Sequence, residues 1–275
     1  MPKSSYGILT SFLIFIELLS LCLRPMKGVV IAGGQGTRLY PLTQKSPKAL
    51  LPVSGKPMIS YPIKTLVDGG IDEILIVTSG PFAGEIINYL KDGKDHGLKR
   101  VEFVYKEGGT LAALSAAEGF VKGENMAVIC ADNILKENIA PALANFKDGA
   151  TVFLKKVEHP EQHAVVVLNE KNKIIEIEEK PLAPKSNLVT VGLFLYDAEI
   201  FNIARECKLS ARGELEIPDA NKIYLSRKKL NWIKIKGFWC DAGTFDGLAQ
   251  ADEFLSDKRQ AVERYPSSML LDCSI

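Results

Sequence analysis

The sequence predicts an α/β fold, with a mainly parallel sheet covered by helices on both faces and a β-rich second half. Short apolar, β-branched runs alternate with helix-like stretches from Gly28 to about residue 150. Strand-like runs then follow one another with few helices between them. The 275 residues, 47% of them hydrophobic, are enough to bury one large core.

The first half contains four predicted strands, namely Val29–Ile31, Ile74–Val77, Val101–Tyr105 and Ala127–Cys130. Apolar residues at helical spacing lie between them, in Met58–Val67, Ala83–Leu90 and Leu111–Phe120. This repetition indicates parallel strands joined by right-handed crossovers. Ligands bind at the carboxyl ends of the strands in such sheets, so we expect the functional residues in the loops there.

The second half is predicted to be mostly extended, in Thr151–Val157, Ala164–Leu168, Lys173–Glu178 and Leu188–Tyr196. Helical spacing returns at Ala198–Arg205, Pro218–Ser226 and Thr244–Leu255. No internal repeat or low-complexity linker is visible. We therefore interpret residues 26–255 as one domain with halves 26–150 and 151–255, followed by a tail, residues 256–275.

Residues 1–25 form an apolar extension with three interpretations. Ile8–Leu23, between Lys3 and Arg24, has the composition of a secretory signal or a short membrane anchor. Glu17 in its middle, its short length and the lack of a small-residue cleavage site argue against both. Alternatively, translation begins at Met26, directly before the first strand. A membrane is expected as a partner only if this segment is real.

Charge and cysteine usage argue against several kinds of protein. The formal net charge of +1 gives no indication of nucleic-acid binding. The five cysteines are widely spaced and form no C-x-x-C pair, which argues against a disulfide framework or a zinc site. This cysteine usage favours a reducing location, the cytoplasm. The three histidines are too scattered for a metal cluster.

A glycine-rich loop follows the first predicted strand and contains Ala32, Gly33, Gly34, Gly36, Thr37 and Arg38. Glycines let the backbone turn tightly and bring its N–H groups close to an anion, whose charge an arginine can neutralise. The loop is neither a P-loop nor a dinucleotide fingerprint, because no Gly-Lys-Ser/Thr follows and Leu39 occupies the place of the third glycine. A lone pattern of this kind is usually only a turn, but PKALLP (residues 47–52) follows closely here.

Together, GGQGTRLYPLT and PKALLP resemble the signature of the nucleotidyltransferases that make nucleotide sugars, most closely the short glucose-1-phosphate thymidylyltransferases. The resemblance extends from Met26 to about Leu255 and includes CADN, EEKPLAPKSN, SARGELEI and WCDAGT. It implies a Rossmann-like fold and transfer of a nucleotidyl group from a nucleoside triphosphate, dTTP or UTP, to a sugar 1-phosphate, with Mg²⁺ as cofactor. It also implies a homo-oligomer. The chain stops soon after Leu255, short of the extra C-terminal helices of many relatives, so we do not carry over their tetramer or regulatory site.

The resemblance implies four catalytic residues, namely Arg38, Lys48, Asp132 and Asp241. Both substrates are anions, and two unit charges about 4 Å apart repel by about 4 kcal/mol at an effective dielectric of 20. Catalysis therefore depends on neutralisation and in-line positioning. The two basic residues would hold the triphosphate, and the two aspartates would bind the metal. The alternatives are solvated loop cations and N-caps of helices that begin near Leu135 and Thr244.

For the nucleotide, the resemblance implies contacts from the glycine-rich loop, from Asp132 and from Gly109. For the sugar phosphate it implies Ala164, Glu179, Lys180, Thr190, Arg212 and Trp239. Pro181 predicts an extended backbone at Lys180. The alternative is an exposed, charged strand end, since Glu176 and Glu178 also lie there.

Two departures from the family pattern leave the substrates open. Ala112 stands where thymidylyltransferases usually carry a glutamine, so both dTTP and UTP are considered. His163 and Ala164 stand where an aromatic residue and a glycine are usual. If the contact of that glycine needed a positive φ, alanine would be strained there. Glucose is the expected sugar, but this departure leaves another sugar open.

Three other kinds of protein rank below this enzyme. A metal-dependent glycosyltransferase usually carries an Asp-x-Asp motif, which this sequence lacks. A non-catalytic nucleotide-sugar-binding regulator would not need to keep all of Arg38, Lys48, Asp132, Lys180 and Asp241. A membrane-attached structural protein rests only on the N-terminal segment.

Overall fold

The computed structural model describes residues 26–210 and 213–256. Within these residues the strands are β1 (Lys27–Ala32), β2 (Pro52–Val53), β3 (Lys56–Pro57), β4 (Glu73–Thr78), β5 (Arg100–Tyr105), β6 (Met126–Cys130), β7 (Asn133–Leu135), β8 (Ala150–Lys156), β9 (Ala164–Leu168), β10 (Ile174–Glu179), β11 (Leu188–Tyr196), β12 (Leu230–Lys234) and β13 (Trp239–Asp241). The α-helices are α1 (Ser60–Asp68), α2 (Ala83–Leu90), α3 (Thr110–Ser115), α4 (Glu118–Val121), α5 (Ala140–Asn145), α6 (Glu199–Glu206), α7 (Ile217–Ser226) and α8 (Phe245–Leu255).

Strand β1 lies inside a nine-stranded sheet, parallel to β4 on one side and to β6 on the other. Strand β5 continues the parallel arrangement beyond β4. Every residue of β1 is buried, as expected for a strand that helices cover on both faces. The four strands predicted for the first half are confirmed as parallel neighbours, so their carboxyl ends share one edge of the sheet.

Alternate residues of β1 enter two separate cores. Val29 and Ile31 pack in the core that includes buried residues of α3, α6 and α7. Val30 and Ala32 pack in the opposite core, against α1, α2 and the partly buried face of α5. Helices therefore lie on both faces of the sheet, as the sequence predicted.

The second half extends the same sheet with antiparallel strands. Strand β11 pairs with β6 through Leu193–Tyr196 and with β8 along its other edge. Strands β9 and β10 form an antiparallel pair in which Ala164 lies opposite Glu179. Strand β12 pairs in parallel with β8. The β-rich second half thus adds to the first sheet and brings the end of β9 next to it through the pair Val189 and Val165.

Strands β7 and β13 form a separate two-stranded antiparallel ribbon. In its register Asn133 lies opposite Asp241, Ile134 opposite Cys240, and Leu135 opposite Trp239. Ile134 and Cys240 are buried in a third, smaller core that also contains residues of α8 and of the segment after β1. The ribbon therefore joins two parts of the chain that are far apart in sequence.

Several details differ from the sequence predictions. Leu111–Phe120, predicted as one helix, is divided into α3 and α4. Helix α5 and strand β12 were not predicted. The helix considered near Leu135 is absent, because β7 occupies that position.

Among the described residues, none of the helices has the length and apolar character needed to cross a bilayer. The longest of them, α8, has 11 residues. The interpretations of residues 1–25 and of the tail beyond residue 256 fall outside the described part of the chain.

Candidate active site

A cavity of about 300 Å³ opens beside the carboxyl ends of β6 and β13. Eight of the predicted site residues line it, namely Arg38, Asp132, Ala164, Glu179, Lys180, Thr190, Trp239 and Asp241. They come from both halves of the sequence. Arg212, predicted as a further sugar-phosphate contact, lies outside the described residues.

Lys48 lies behind the cavity, where it forms an ion pair with Asp132. Its Nζ atom is 2.5 Å from Asp132 Oδ2, and the side chains are only 17% and 10% exposed. Burial opposes ionisation of both groups, but their mutual attraction outweighs it. The pKa of Asp132 is therefore lowered and the pKa of Lys48 is raised. The carboxylate at the end of the β6 segment is held ionised by a buried ammonium.

Asn133 fixes the orientation of this carboxylate. Its Nδ2 group donates to Asp132 Oδ1 at 3.0 Å. Its Oδ1 atom accepts from the backbone N–H of Gly192 and from Trp239 Nε1, each at 2.7 Å. Asn133 is only 5% exposed and its amide makes three hydrogen bonds. Only one orientation of the amide satisfies all three partners. Asn133 thereby connects Asp132, predicted to bind the metal and the nucleotide, to Trp239, predicted to contact the sugar phosphate.

Asp241 ends β13 and lies next to Asp132. The backbone N–H of Gly243 donates to Asp241 Oδ1 at 2.9 Å, and that of Ala242 donates to the carbonyl of Asp132 at 2.8 Å. Arg38 Nη2 lies 3.8 Å from Asp241 Oδ2. Burial and then the neighbouring Asp132 charge raise the pKa of Asp241. Asp241 is not the N-cap of α8, because Thr244 occupies that position and accepts from the N–H of Gly247.

The two aspartates converge on one small space. A Cβ atom added to Gly243 would lie 2.8 Å from Asp241 Oδ1, 3.0 Å from Asp132 Oδ2 and 3.1 Å from Arg38 Nη2. Among the described residues, no group of three or more His, Cys, Asp or Glu side chains could hold a metal ion. Mg²⁺ commonly uses only one or two carboxylates and takes its other ligands from water and phosphate. Two adjacent carboxylates that repel each other, one buried and one partly exposed, therefore fit such a cation.

The glycine-rich loop lies beside the cavity, and Arg38 is the member whose side chain lines it. Gly34 and Gly36 have φ values of +97° and +63°, which favour glycine. The N–H of Gly34 donates to Ser79 Oγ at 2.9 Å, and Thr43 Oγ1 donates to the carbonyl of Gly36 at 2.8 Å. These bonds fix the turn that follows Ala32 and Gly33 and precedes Thr37 and Arg38.

Gly109 lies at the start of α3, directly before Thr110, which lines the cavity. Its φ is +98°, and an added Cβ would lie 2.5 Å from the carbonyl oxygen of Leu215. The backbone of residues 108–111 is hydrogen-bonded to Leu215 on both sides. Gly109 thus permits a close approach of two chain segments at the rim of the site.

At the other end of the cavity, the prediction of an extended backbone at Lys180 is wrong. Its φ is +44°, in the left-handed region, although a proline follows. The N–H of Lys180 donates to the carbonyl of His163 at 3.0 Å and so closes the end of the β9–β10 pair. The backbone at Lys180 thus departs from the extended conformation that a residue before proline usually adopts. Lys180 Nζ lies 3.7 Å from Glu179 Oε1.

His163 and Trp239 form an edge-to-face pair with ring centroids 5.4 Å apart. Burial, followed by the charges of Arg38 and Lys180, lowers the pKa of His163. Ala164 lies in β9 and is not among the residues with positive φ, so the strain considered for alanine does not arise.

Sequence reasoning missed several residues that line the cavity, namely Cys130, Gln162, Gly192, Glu214 and Glu216. Asn133 had a visible signal in the CADN motif, but nothing local indicated its bonds to Gly192 and Trp239. Glu216 is 6% exposed, and no pattern around it indicated burial.

Comparison with known proteins identifies the family of the chain. The sequence profile of the family described as "Nucleotidyl transferase" matches residues 27–258. The chain is 40% identical over 238 residues to a glucose-1-phosphate thymidylyltransferase of Neisseria meningitidis serogroup A, covering 84% of this chain and 82% of the relative. It is 38% identical over 236 residues to an enzyme of the same name from Mycolicibacterium smegmatis, with the same two coverages.

Comparison with solved structures confirms the fold. A structure described as a glucose-1-phosphate thymidylyltransferase of Bacillus anthracis, in complex with sucrose, aligns with a TM-score of 0.80 at 40% identity. The alignment covers 84% of this chain and 96% of that one. A UDP-glucose pyrophosphorylase complexed with UDP-glucose aligns with a TM-score of 0.73 at 24% identity, which supports the fold alone.

Proposed function

The chain belongs to the nucleotidyl transferase family, and on that basis we propose that the cavity described above is its catalytic site. The protein is an enzyme that transfers a nucleotidyl group to a sugar 1-phosphate. We propose glucose 1-phosphate as the sugar and dTTP as the donor, after the names of the relatives. UTP is the alternative donor, because Ala112 stands where a glutamine is usual.

In the proposed reaction an oxygen of the sugar phosphate attacks the α-phosphorus of the triphosphate. The bond between the α-phosphorus and the oxygen that bridges to the β-phosphorus breaks, and pyrophosphate leaves. Both reactants are anions, so the residues around the cavity act mainly by neutralising charge and by aligning the two phosphates.

Asp132 and Asp241 would hold Mg²⁺. When bound there, the cation would neutralise charge on the reacting phosphates. Lys48 keeps Asp132 ionised, so no proton has to leave that carboxyl group before a cation binds. Asn133 holds the same carboxylate in one orientation. Arg38 is the half-exposed cation of the loop, and it would contact the triphosphate together with Lys48.

At the sugar end, Lys180 would bind the sugar phosphate and Glu179 the sugar hydroxyls. Both line the cavity with Ala164, Thr190 and Trp239. The backbone N–H of Lys180 is bound to the carbonyl of His163, which also lines the cavity. Arg212 is proposed as a second phosphate contact on the resemblance alone.

The observation that carries the proposal is the convergence of one buried and one partly buried carboxylate with three cations that line one cavity or lie next to it. Asp132 and Asp241 reach a common point within 3.0 Å. Arg38 and Lys48 are each within 4.0 Å of one of these acids, at 3.8 and 2.5 Å, and Lys180 lines the same cavity. This charge pattern suits a pair of phosphates bridged by a divalent cation.

The test is a screen of pyrophosphate release over the four common nucleoside triphosphates and several sugar 1-phosphates, with and without Mg²⁺. We expect the highest kcat/KM with dTTP and glucose 1-phosphate and loss of turnover with EDTA. Turnover that persists in EDTA would contradict the metal role of the two aspartates. No turnover with any pair would favour the non-catalytic nucleotide-sugar-binding protein.

We also propose a reducing, cytoplasmic location, with translation starting at Met26. The described cysteines, Cys130, Cys207 and Cys240, are all free thiols. Mass spectrometry of the N-terminus of the native protein tests whether translation starts at Met26. Recovery of peptides from residues 1–25 would contradict the start at Met26.

A further inference from the structure

The turn at Lys236 and Gly237, which leads from β12 into β13, is held by two side chains of opposite charge. Glu137 Oε2 accepts the backbone N–H groups of Lys236 and Gly237, at 2.8 and 2.7 Å. Lys155 Nζ donates to the carbonyl of Gly237 at 2.6 Å and lies 3.5 Å from that of Lys236. The backbone of the turn is thus bound on its N–H side by an acid and on its carbonyl side by a base.

The turn also has almost no free space. A Cβ added to Gly237 would lie 1.9 Å from the carbonyl oxygen of Lys136. The N–H of Lys136 donates to the carbonyl of Phe238 at 3.0 Å. The turn therefore packs directly on the end of the β7 segment, from which Glu137 extends.

The two clamping residues come from different elements. Glu137 follows β7 by two residues, whereas Lys155 lies in β8 of the main sheet. Within the described part of the chain, neither residue has an ion pair with an oppositely charged side chain. Their charged groups instead form hydrogen bonds with backbone N–H and C=O groups. Such charge-assisted hydrogen bonds are stronger than neutral ones.

Trp239 and Asp241 follow this turn by two and four residues, and no other element separates them from it. Neither Lys155 nor Glu137 lines the cavity that we assign to the reaction. We propose that Lys155 and Glu137 are positioning residues, which clamp the turn 236–237 and so set Trp239 and Asp241 relative to Asp132. The part of this inference that concerns Asp241 rests on the proposed function.

Fluorescence of Trp239 tests the clamp without any assay of activity. The chain has two tryptophans, Trp232 and Trp239, so a Trp232→Phe background leaves Trp239 as the single reporter. In that background we expect Lys155→Met to shift the emission to the red and to increase quenching by acrylamide, because the Trp239 indole is buried and hydrogen-bonded to Asn133. Lys156→Met is the matched control, since Lys156 is the exposed neighbour of Lys155 in the same strand.

Kinetics test the consequence for the site. We expect Lys155→Met to lower kcat by about 10- to 100-fold, the scale of a small misplacement of a catalytic group. The Mg²⁺ concentration that gives half-maximal rate should rise, while the KM for the triphosphate changes little. Lys155→Arg keeps the charge and the donors, so it should restore both the rate and the Trp239 emission.

Unchanged emission and an unchanged Mg²⁺ requirement in Lys155→Met would overturn the inference, as would equal changes in Lys156→Met. If Lys155→Met does not fold, Glu137→Gln provides the test of the clamp. The glutamine keeps one oxygen acceptor for the turn and loses the charge of Glu137. It should give the same pattern with smaller changes, and unchanged Trp239 emission would refute the clamp. A wild-type protein without metal-dependent turnover would refute the proposed function, while the emission data would still decide whether the clamp positions Trp239.

Discussion

Lys48 and Asp132, 84 residues apart in sequence, meet in a largely buried ion pair at the back of the cavity. Replacing Lys48 by methionine leaves the Asp132 carboxylate buried without its cation. We expect Lys48→Met to reduce the free energy of unfolding by about 3–5 kcal/mol, measured by urea denaturation.

Lys45→Met is the control, because Lys45 is an exposed lysine of the same segment, and its effect should stay within about 0.5 kcal/mol. Adding Asp132→Asn to Lys48→Met should recover part of the lost stability, since no unpaired charge is then left buried. A double variant as unstable as the sum of the two single variants would contradict the pairing argument.

The two acids should be essential for turnover and much less important for binding of the triphosphate. We expect Asp132→Asn and Asp241→Asn each to lower kcat/KM by about 100-fold or more, because each removes a charge from the proposed cation site. Triphosphate affinity, measured by calorimetry, should be partly kept. Asp246→Asn, an exposed residue in the first turn of α8, serves as the control. Near-normal turnover in either of the first two variants would remove the metal assignment.

Gly243→Ala should disturb both acids with one methyl group. Its Cβ would lie between the two carboxylates and Arg38, at distances that side chains do not tolerate without movement. We expect kcat to fall about ten-fold or more, with a higher Mg²⁺ requirement. Gly119→Ala is the matched control, because an added Cβ there meets nothing within 4 Å. Equal activity in the two variants would mean that the carboxylates do not need this space.

Lys180→Ala should weaken binding of the sugar phosphate selectively. We expect its KM to rise about ten-fold, which corresponds to about 1.4 kcal/mol. The KM for the triphosphate should change by less than about two-fold, because the other cations remain. Lys185→Ala controls for loss of charge, since Lys185 pairs with Glu176 on an exposed surface. Similar losses for both substrates would argue against the assigned role.

His163 should make stability depend on pH. Burial and the charges of Arg38 and Lys180 hold its pKa below its ordinary value of 6.5. As the pH falls from 6.5 towards this lower pKa, the unfolded chain binds a proton that the folded protein does not, so wild-type stability decreases. His163→Gln removes this contribution to the pH dependence of stability. We expect the variant to gain stability relative to wild type between about pH 7.5 and about pH 5.5, measured by thermal unfolding.

His159→Gln, measured in parallel, is the surface control. A difference between His163→Gln and wild type that does not change with pH would show that the His163 imidazole is not the responsible group.

Three of the four strands of the first half, β1, β4 and β6, could be predicted because each is a short run of apolar residues that is buried almost throughout. Val29–Ile31 and Ala127–Cys130 have no competing helical spacing, and Asp132 follows the second of them by two residues. The position of Asp132 at the edge of the sheet could therefore be inferred from sequence. Its partner could not, because Lys48 lies in a short turn whose packing against β6 has no periodic signal.

The ribbon of β7 and β13 could not be predicted for a similar reason. Each strand has three residues, which is too short for an alternating pattern, and the partners are separated by about half of the domain. The bonds of Asn133 to Gly192 and Trp239 depend on this pairing, so its role appears only in the folded protein. Lys180 shows the opposite case, in which a strong local preference predicts an extended backbone and the folded protein has a φ of +44°.

The register of the ribbon has a consequence for how this enzyme can diversify. Because Asn133 lies opposite Asp241, the separation of the two acids does not depend on the length of chain between them. The loop that joins β9 to β10 lies at the end of that pair opposite Ala164 and Glu179, so it can change in length or composition while the acids and the clamped turn 236–237 keep their places. Insertions at that loop could therefore add new surface to the protein and leave the phosphate chemistry intact.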